Sequence, residues 1–298
     1  MKSYTYSNYK LIAAAILGMF TCGITTVKAQ VNPLASQYFQ NQYLFNPAMA
    51  GLDKGLNINV DYSKQGFGIA GAQSTQAATA DYQMDKVGLG VSVYNQFSGV
   101  FRSTRAMVTY AYHLPIAGDN QKINFGLSAG VVNNHLNIGD VYGDQSDPTL
   151  ANYNSKGTSI DGDFGVAYTS NKLTIQGTLP NLRYLFKDNG STEEREIFFT
   201  AVSYKFFDPA NISLEPKVAY RQVKGYNNIY DAGANVAFNN NQFSLQGLYH
   251  SSKSATFGVG FNTAAYSILA FYTTATSSLN SYSNGDFELG LKLNLSKK

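Results

Sequence analysis

The chain has 298 residues, of which 44% are hydrophobic and only 14% are charged. A typical soluble domain is about 25% charged, whereas here Asn, Gln, Ser, Thr and 27 Gly supply the polarity, alongside 22 Tyr and 19 Phe. This composition excludes a disordered chain and favours a β-rich one. After residue 30, no apolar run approaches the ~18 residues of a membrane-crossing helix, which excludes a helical membrane protein.

Residues 1–29 have the pattern of a secretory signal peptide. Lys2 and Lys10 provide positive charge, residues 11–20 form an apolar core, and Ala29 ends a small-residue cleavage site. The sequence therefore predicts export through a cleaved signal peptide, with the mature chain starting at Gln30. An uncleaved membrane anchor is the alternative, and the short apolar core disfavours it.

The only cysteine, Cys22, also lies within the signal segment. Lipid attachment there is a further alternative, disfavoured by Phe20 and Thr21 just before it. After cleavage the chain has no thiol, and hence no disulfide or cysteine metal site. Cleavage removes three of the 22 basic residues and none of the 19 acidic ones, so the mature net charge is zero. Without a basic cluster, the sequence predicts no nucleic-acid partner.

From residue 54 onward, apolar residues alternate with small or polar ones in segments of about ten residues. In residues 56–62, Leu, Ile, Val and Tyr alternate with Asn, Asn and Asp, and residues 87–94, 123–131 and 287–295 repeat the pattern. The second face carries Gly, Ser, Asn, Gln and Thr, whereas the solvated face of a soluble sandwich would be rich in Lys and Glu. We therefore expect apolar side chains toward lipid and polar ones toward a lumen.

The predicted fold is all-β: an antiparallel transmembrane β-barrel of about 14 strands, within a range of 12–16. The barrel domain covers residues 54–298 and follows a short segment, 30–53, that forms a periplasmic element or plug. Tight turns at 171–172 and 239–241 are expected at one end, and longer loops at 134–156 and 181–194 at the other. Strand starts are predicted near residues 55, 73, 86, 102, 121, 157, 172, 194, 211, 227, 241, 254, 264 and 284.

Catalytic candidates are weak. His113, His135 and His250 lie in different hairpins, and no nucleophile elbow or metal-ligand spacing surrounds them. Each is predicted to be a loop or lumen residue and not a catalytic base. The sequence therefore predicts no enzyme.

One acidic loop is a candidate cation site. Asp140, Asp144 and Asp147 fall within ten residues but lack the ligand arrangement of an EF-hand. A solvated external loop is the favoured interpretation. We expect neither a metal nor a cofactor.

The segment before the first strand has the most specific pattern. Residues 36–51 read SQYFQNQYLFNPAMAG, with four aromatic residues in eight positions followed by Asn-Pro-Ala and Ala-Gly. Such an apolar element must be buried. Two interpretations remain open: packing into the barrel mouth as a plug or rim, or docking to a partner.

This string resembles the opening motif of the PorP/SprF family of type IX secretion system outer-membrane proteins. The likeness continues through KVGLGVSVYNQFSGVFRSTRAMVTYAYHLPI, KINFGLSAGVV, SDPTL and NGDFELGLKLNL, and so spans nearly all of the mature chain. The chain departs from the family pattern at residues 64–67, where it has no Trp, and at Asp286 and Phe287, where Thr-His is expected.

The resemblance implies an outer-membrane barrel of a gliding, adhesin-secreting Gram-negative bacterium of the Bacteroidota type. Such proteins support the secretion or surface attachment of a cognate type IX substrate, without being the translocation pore. The implied partners are outer-membrane lipid, a secreted adhesin-like substrate and other secretion components. The motif positions carried over to this chain are Tyr43, Phe45, Asn46, Pro47, Ala48 and Gly51. A porin-like solute channel is the alternative function, and a hydrolase ranks last.

Overall fold

The computed structural model describes residues 34–116, 120–141, 147–155, 157–186, 195–207, 212–224, 227–275 and 284–295. The predicted signal peptide and its cleavage site lie outside these ranges. Within them, no helix is long and apolar enough to cross a membrane.

Strands dominate the described chain, as the period-two pattern predicts. They are β1 Leu56–Lys64, β2 Ser74–Met84, β3 Val87–Ser98, β4 Phe101–Pro115, β5 Lys122–Leu136, β6 Thr158–Thr169, β7 Leu173–Leu179, β8 Arg195–Tyr204, β9 Phe206–Phe207, β10 Ser213–Lys224, β11 Ile229–Phe238, β12 Phe243–His250, β13 Ser254–Asn262, β14 Tyr266–Thr273 and β15 Asp286–Leu295. The helices are α1 Pro148–Ser155 and α2 Arg183–Phe186, with short 3-10 helices at Ala35–Tyr38, Gln42–Leu44, Pro47–Met49 and Ile138–Asp140.

The strands close into one antiparallel barrel, because β15 pairs with β1 and β10 pairs with β11. The short β9 continues β8, and both pair with β10, so the wall has 14 strand positions. Pro216, which has no backbone N–H to donate, lies on β10 between the part that pairs with β9 and the part that pairs with β8. The prediction of an all-β barrel with about 14 strands is confirmed.

The two faces of the wall follow the predicted alternation. On β1, Asn57, Asn59 and Asp61 face the lumen and are at most 5% exposed, whereas Val60 and Tyr62 face outward and are 50% and 44% exposed. The outward apolar side chains are those that lipid would cover. Each strand also has an antiparallel neighbour on both sides, which closes the wall as a bilayer requires. Residues 158–163 of β6 extend beyond its pairing with β7 and pair only with β5.

The two ends of the barrel differ. The end that carries the start of β1 and the end of β15 has tight turns, for example Asp85 between β2 and β3. The opposite end has the long connections 137–157 and 180–194. Short turns are periplasmic and long loops extracellular in such barrels, which orients the protein.

The extracellular rim is uneven. The strands β4 and β5 each have 15 residues, whereas β12 and β14 have 8. Each of these strands has one end at the periplasmic rim. At about 3.3 Å per residue and a strand tilt of about 40°, the 12-residue strands β3 and β6 rise about 10 Å above the opposite rim, and β4 and β5 rise about 18 Å above it.

The lumenal plug, a candidate functional site

The described chain before β1 lies within the lumen and packs against the wall. We call residues 34–53 the plug. Most of its residues are buried, from Leu34 at 1% exposure to Ala50 at 0%, and only Asp53 at its end is exposed. Apolar plug residues pack in two clusters against the wall, one beside Phe199 and Leu248 and the other beside Ala111. The plug therefore supplies the core that a wide, otherwise polar lumen lacks.

Asn46 and Pro47 fold the lower plug locally. The Asn46 Oδ1 atom accepts a hydrogen bond from the Ala48 N–H at 2.9 Å, capping the short helix Pro47–Met49 with Pro at its first position. The Asn46 amide donates to the carbonyl groups of Val166 at 3.3 Å and Gly177 at 3.4 Å. One side chain thus shapes the plug and joins it to β6 and β7.

Glycines in the wall make room for the plug. A Cβ atom built on Gly88 would overlap the carbonyl oxygen of Ala50, and one on Gly126 would overlap the main chain between Pro47 and Ala48. The same holds for Gly165, where a Cβ atom would overlap the Asn46 side chain. Substituting these glycines requires the plug or the wall to shift.

Tyr43 contacts the wall two residues further along β3 than Ala50 does. Its ring lies against Gly90, where a Cβ atom would approach the ring at 2.6 Å. Its hydroxyl donates to Thr109 Oγ1 at 2.8 Å. Burial raises the pKa of the Tyr43 hydroxyl to about 12, so the group remains a hydrogen-bond donor at physiological pH.

The plug ends in a glycine turn. Gly51 has φ +69°, a conformation that favours glycine, and its N–H donates to Asp81 Oδ2 at 2.9 Å. Next to it, the carbonyl of Ala50 lies 3.0 Å from His113 Nε2, while His113 Nδ1 lies 2.8 Å from Asn124 Oδ1. His113 therefore fixes the plug to the wall.

An aromatic cluster holds the upper plug. The Tyr38 ring packs against Phe45 at 4.7 Å and Phe199 at 5.7 Å between centroids. The Tyr38 hydroxyl donates to Asp231 Oδ2 at 2.8 Å. Burial raises the pKa of that hydroxyl well above its usual value, so Tyr38 remains a donor to the carboxylate.

Asp231 joins the plug to a buried network. His250 Nδ1 lies 2.7 Å from its Oδ1 atom, and an Arg221 nitrogen lies 3.3 Å from its Oδ2 atom. His250 Nε2 lies 2.7 Å from Thr256 Oγ1, which gives an aspartate–histidine–hydroxyl arrangement. These four side chains are at most 3% exposed, and the plug ring of Tyr38 covers the carboxylate. The arrangement fastens the plug and offers a substrate no access.

Further polar contacts join the plug to strands on several sides. Gln37 Nε2 donates to Glu288 Oε1 at 2.6 Å, and Gln246 Nε2 donates to the Ser36 carbonyl at 2.8 Å. Lys217 donates to the Tyr38 carbonyl, and its ammonium lies 4.6 Å from the Phe39 ring centroid. The plug is thus bound to the wall largely through hydrogen bonds.

A sequence model for the type IX secretion system membrane protein PorP/SprF matches residues 27–293. The chain belongs to the PorP/SprF family. The resemblance noted in the sequence is thereby confirmed. The family is one of non-catalytic membrane barrels, which agrees with the closed environment of His250.

Several solved outer-membrane proteins match this PorP/SprF chain at low identity. Omp33 of Acinetobacter baumannii is 11% identical with a TM-score of 0.49, and the match covers 82% of this chain and 100% of that chain. A TodX deletion mutant, a monoaromatic hydrocarbon channel, is 10% identical with a TM-score of 0.48, covering 91% and 96% respectively. No curated protein matches the chain.

The structure brings the six family motif positions together in the lower and middle plug. Tyr43, Asn46, Pro47, Ala48 and Gly51 are buried, and Phe45 is half-buried. Sequence reasoning found this motif and predicted His113 and His250 to be loop or lumen residues, but it did not predict that wall side chains anchor the plug. The anchoring residues are His113, Lys217, Arg221, Asp231, His250 and Glu288. Their signal was a charged or imidazole side chain on the lumen face of an alternating strand.

The acidic loop of the PorP/SprF chain is only partly described. Asp140 pairs with Arg102 at 2.9 Å, and Asp147 accepts from the Thr149 N–H at 2.7 Å. Asp144 lies outside the described ranges. Across the part of the chain that the structure covers, no group of three His, Cys, Asp or Glu side chains is arranged to hold a metal ion. The prediction that His135 is a loop or lumen residue is wrong, because His135 lies within β5 on the exposed outer surface of the wall.

Proposed function

We propose that this PorP/SprF protein is a plugged outer-membrane barrel that supports secretion or surface attachment of a cognate type IX substrate, such as an adhesin. The observation that carries the proposal is the glycine-lined seat of the plug. Because the wall at Gly88 and Gly126 leaves room for the plug main chain and at Gly165 for the Asn46 side chain, the plug belongs to the resting protein. A lumen filled in this way leaves the loops and the periplasmic mouth as surfaces for partners.

Within this proposal, the motif residues seat the plug and do not themselves dock a partner. Asn46 and Ala48 are both 0% exposed, so a partner could reach them only after the plug had left the lumen. The expected partners are outer-membrane lipid, the secreted substrate and other type IX components. Nucleic acid is not among them.

A deletion strain tests this role. Proteins on the surface of wild-type, deletion and complemented cells are quantified by mass spectrometry. We expect the deletion to remove one substrate, or a small set, from the surface, while other type IX substrates stay at their normal levels. Normal levels of every type IX substrate in the deletion strain would contradict the proposal.

The porin-like alternative makes a different prediction. A barrel of about 14 strands lies between those filled by side chains and those with an aqueous channel. An open lumen of that size would conduct ions, whereas the plug predicts a silent barrel. Conductance therefore separates the two functions.

A further inference from the structure

The outer surface of the barrel changes abruptly from apolar to polar on the tall strands β2–β6. Two successive outward rows of directly paired residues define the change. The lower row is Ala78, Val93, Ala106, Val131 and Ile160. The row toward the extracellular end is Gln76, Asn95, Thr104, Asn133 and Thr158.

One further row stands above these polar residues. It consists of Ser74, Phe97, Arg102 and His135. We call the polar row and this last row the outer ledge.

Hydrogen bonds confirm that the ledge side chains share the outer face. Asn133 Nδ2 donates to Thr158 Oγ1 at 3.0 Å, and Asn133 Oδ1 lies 3.2 Å from His135 Nδ1. Gln76, Thr104, His135 and Thr158 are exposed. No other element that the structure describes packs over these four side chains.

The ledge lies at the level of lipid headgroups. On the opposite side, outward aromatic residues such as Tyr249 and Tyr272 lie within two residues of the strand ends, as in the aromatic girdle at a membrane surface. The ledge strands β3–β6 continue about 10 to 18 Å beyond that rim. The interfacial layer of a bilayer is about 5–7 Å thick on each side. Ledge side chains therefore lie at and above the level of the lipid headgroups of the outer leaflet and face these headgroups laterally.

The chemistry of the ledge favours neutral sugars over other ligands. Its central row offers amides and hydroxyls, which both donate and accept hydrogen bonds. Arg102, its one permanent cation, is bound to Asp140 at 2.9 Å and lies 5.2 Å from the Phe97 ring centroid, so it is a poor free phosphate site. A protein interface would have an apolar centre, whereas the centre here is polar.

An aromatic ring stands directly above the polar row on the same outer face. Phe97 follows Asn95 by two positions on β3, is half-buried, and has the Arg102 guanidinium 5.2 Å from its ring centroid. The accessible part of such a ring provides an apolar surface for the C–H groups of a sugar. Hydrogen-bonding groups and an aromatic ring are the two kinds of contact that a pyranose needs.

We propose that the outer ledge binds the sugar headgroup of a glycolipid in the outer leaflet. This site lies outside the lumen, and it is independent of the plug and of the secretion role proposed above. It gives the barrel a preferred lipid neighbour along β3–β6 and leaves β11–β15 without one.

The test compares lipid binding by purified protein. The parent, the double variant Thr104→Val/Asn133→Val and the control Gln222→Val are titrated in mild detergent with purified lipopolysaccharide or with phosphatidylethanolamine, and complexes are counted by native mass spectrometry. Gln222 is an exposed outward amide on β10, away from the ledge. We expect the parent and the control to bind lipopolysaccharide, and the double variant to bind it at least tenfold more weakly.

Three results would overturn the proposal: no lipopolysaccharide binding by the parent, equal binding by the double variant, or equal binding of phosphatidylethanolamine. Hydrogen exchange on the parent keeps the test decisive if the double variant does not assemble. Lipopolysaccharide should slow amide exchange in residues 131–135 and leave residues 229–238 unchanged. Unchanged exchange in residues 131–135 contradicts the proposal.

Discussion

The carbonyl oxygen of Ala50 occupies the space into which a side chain at position 88 would project, and Gly88 leaves that space open. The two residues are 38 positions apart in the sequence, and one belongs to the plug and the other to the wall. Gly126 and Gly165 repeat the relationship with the Asn46–Ala48 turn. Barrel and plug are therefore complementary in shape, and disturbing either side should release the plug.

Substituting Gly126 by Val tests this complementarity. The new side chain would overlap the plug main chain, and overpacking of this kind costs about 1–3 kcal/mol. We expect amide exchange in residues 46–50 to become roughly tenfold faster or more, measured by hydrogen-exchange mass spectrometry. Gly247→Val is the matched control, since a Cβ atom there meets nothing within 4 Å. Unchanged amide exchange in the Gly126 variant would contradict the claim that plug and wall fit closely at this position.

Removing the Asn46 side chain should destabilise the plug in two ways. Asn46→Ala loses a helix cap, worth about 1 kcal/mol, and the hydrogen bonds to Val166 and Gly177, worth about 1 kcal/mol more. We expect the free energy of unfolding in detergent to fall by about 2 kcal/mol. Asn46→Ser retains a capping hydroxyl and should lose only about half as much. Equal stability of all three proteins would show that Asn46 does not hold the plug.

Asp231 should be the most sensitive anchor. Asp231→Asn removes the nearer of two carboxylates beside the buried Arg221 guanidinium and leaves only Glu196 Oε2, 3.9 Å away. Breaking a buried ion pair in this way costs about 3–5 kcal/mol. Tyr38→Phe removes one hydrogen bond to the same carboxylate and should cost only about 1 kcal/mol. Denaturant unfolding of both variants gives the comparison. The idea fails if the Tyr38 variant is the less stable of the two.

The end of the plug has a pH-dependent contact. Lys292 Nζ lies 2.9 Å from Asp53 Oδ2, and this ammonium lowers the pKa of the Asp53 carboxyl from 3.8. A lowered pKa means that the pair stabilises the fold fully above pH 3.8 and loses this effect as pH falls through the lowered value. Because the Asp53 side chain is 62% exposed, the stabilisation is small.

Lys292→Gln provides the test of that contact. We expect the pKa of Asp53, measured by NMR titration of its carboxyl carbon, to rise toward 3.8 in the variant. Lys172→Gln, which changes an exposed lysine in the β6–β7 turn, should leave the pKa of Asp53 unchanged. An identical Asp53 titration in the parent and the Lys292 variant would rule out the pair.

Most of the barrel could be predicted from the sequence, because its signal is local. Alternation along residues 56–62 or 287–295 fixes which side chains face lipid, whatever the rest of the chain does. The same reasoning located the tight turn at Asn171 and the long loop before Thr158. The interruption of strand pairing at Pro216 could not be predicted, because it depends on the register of the neighbouring strand.

The site could be predicted only in part. The aromatic and Asn-Pro-Ala string indicated a buried element, but a plug and a docking surface require the same apolar residues. The plug is distinguished from a docking surface by Gly88, Gly126 and Gly165, which contact it from the wall of the lumen. Their positions around the lumen follow only once the barrel has closed. Asp231 and His250 gave a similarly weak signal, because single polar residues on a polar face are expected in any barrel.

Ion conductance tests the central claim most directly. Purified parent protein is inserted into planar bilayers, with Gly126→Val as the variant whose plug is loosened and Gly247→Val as its control. A plugged barrel predicts that the parent and the control stay silent, while the Gly126 variant shows steady or flickering current. Steady conductance of the parent, equal to that of the Gly126 variant, would contradict the plugged state and favour a solute channel.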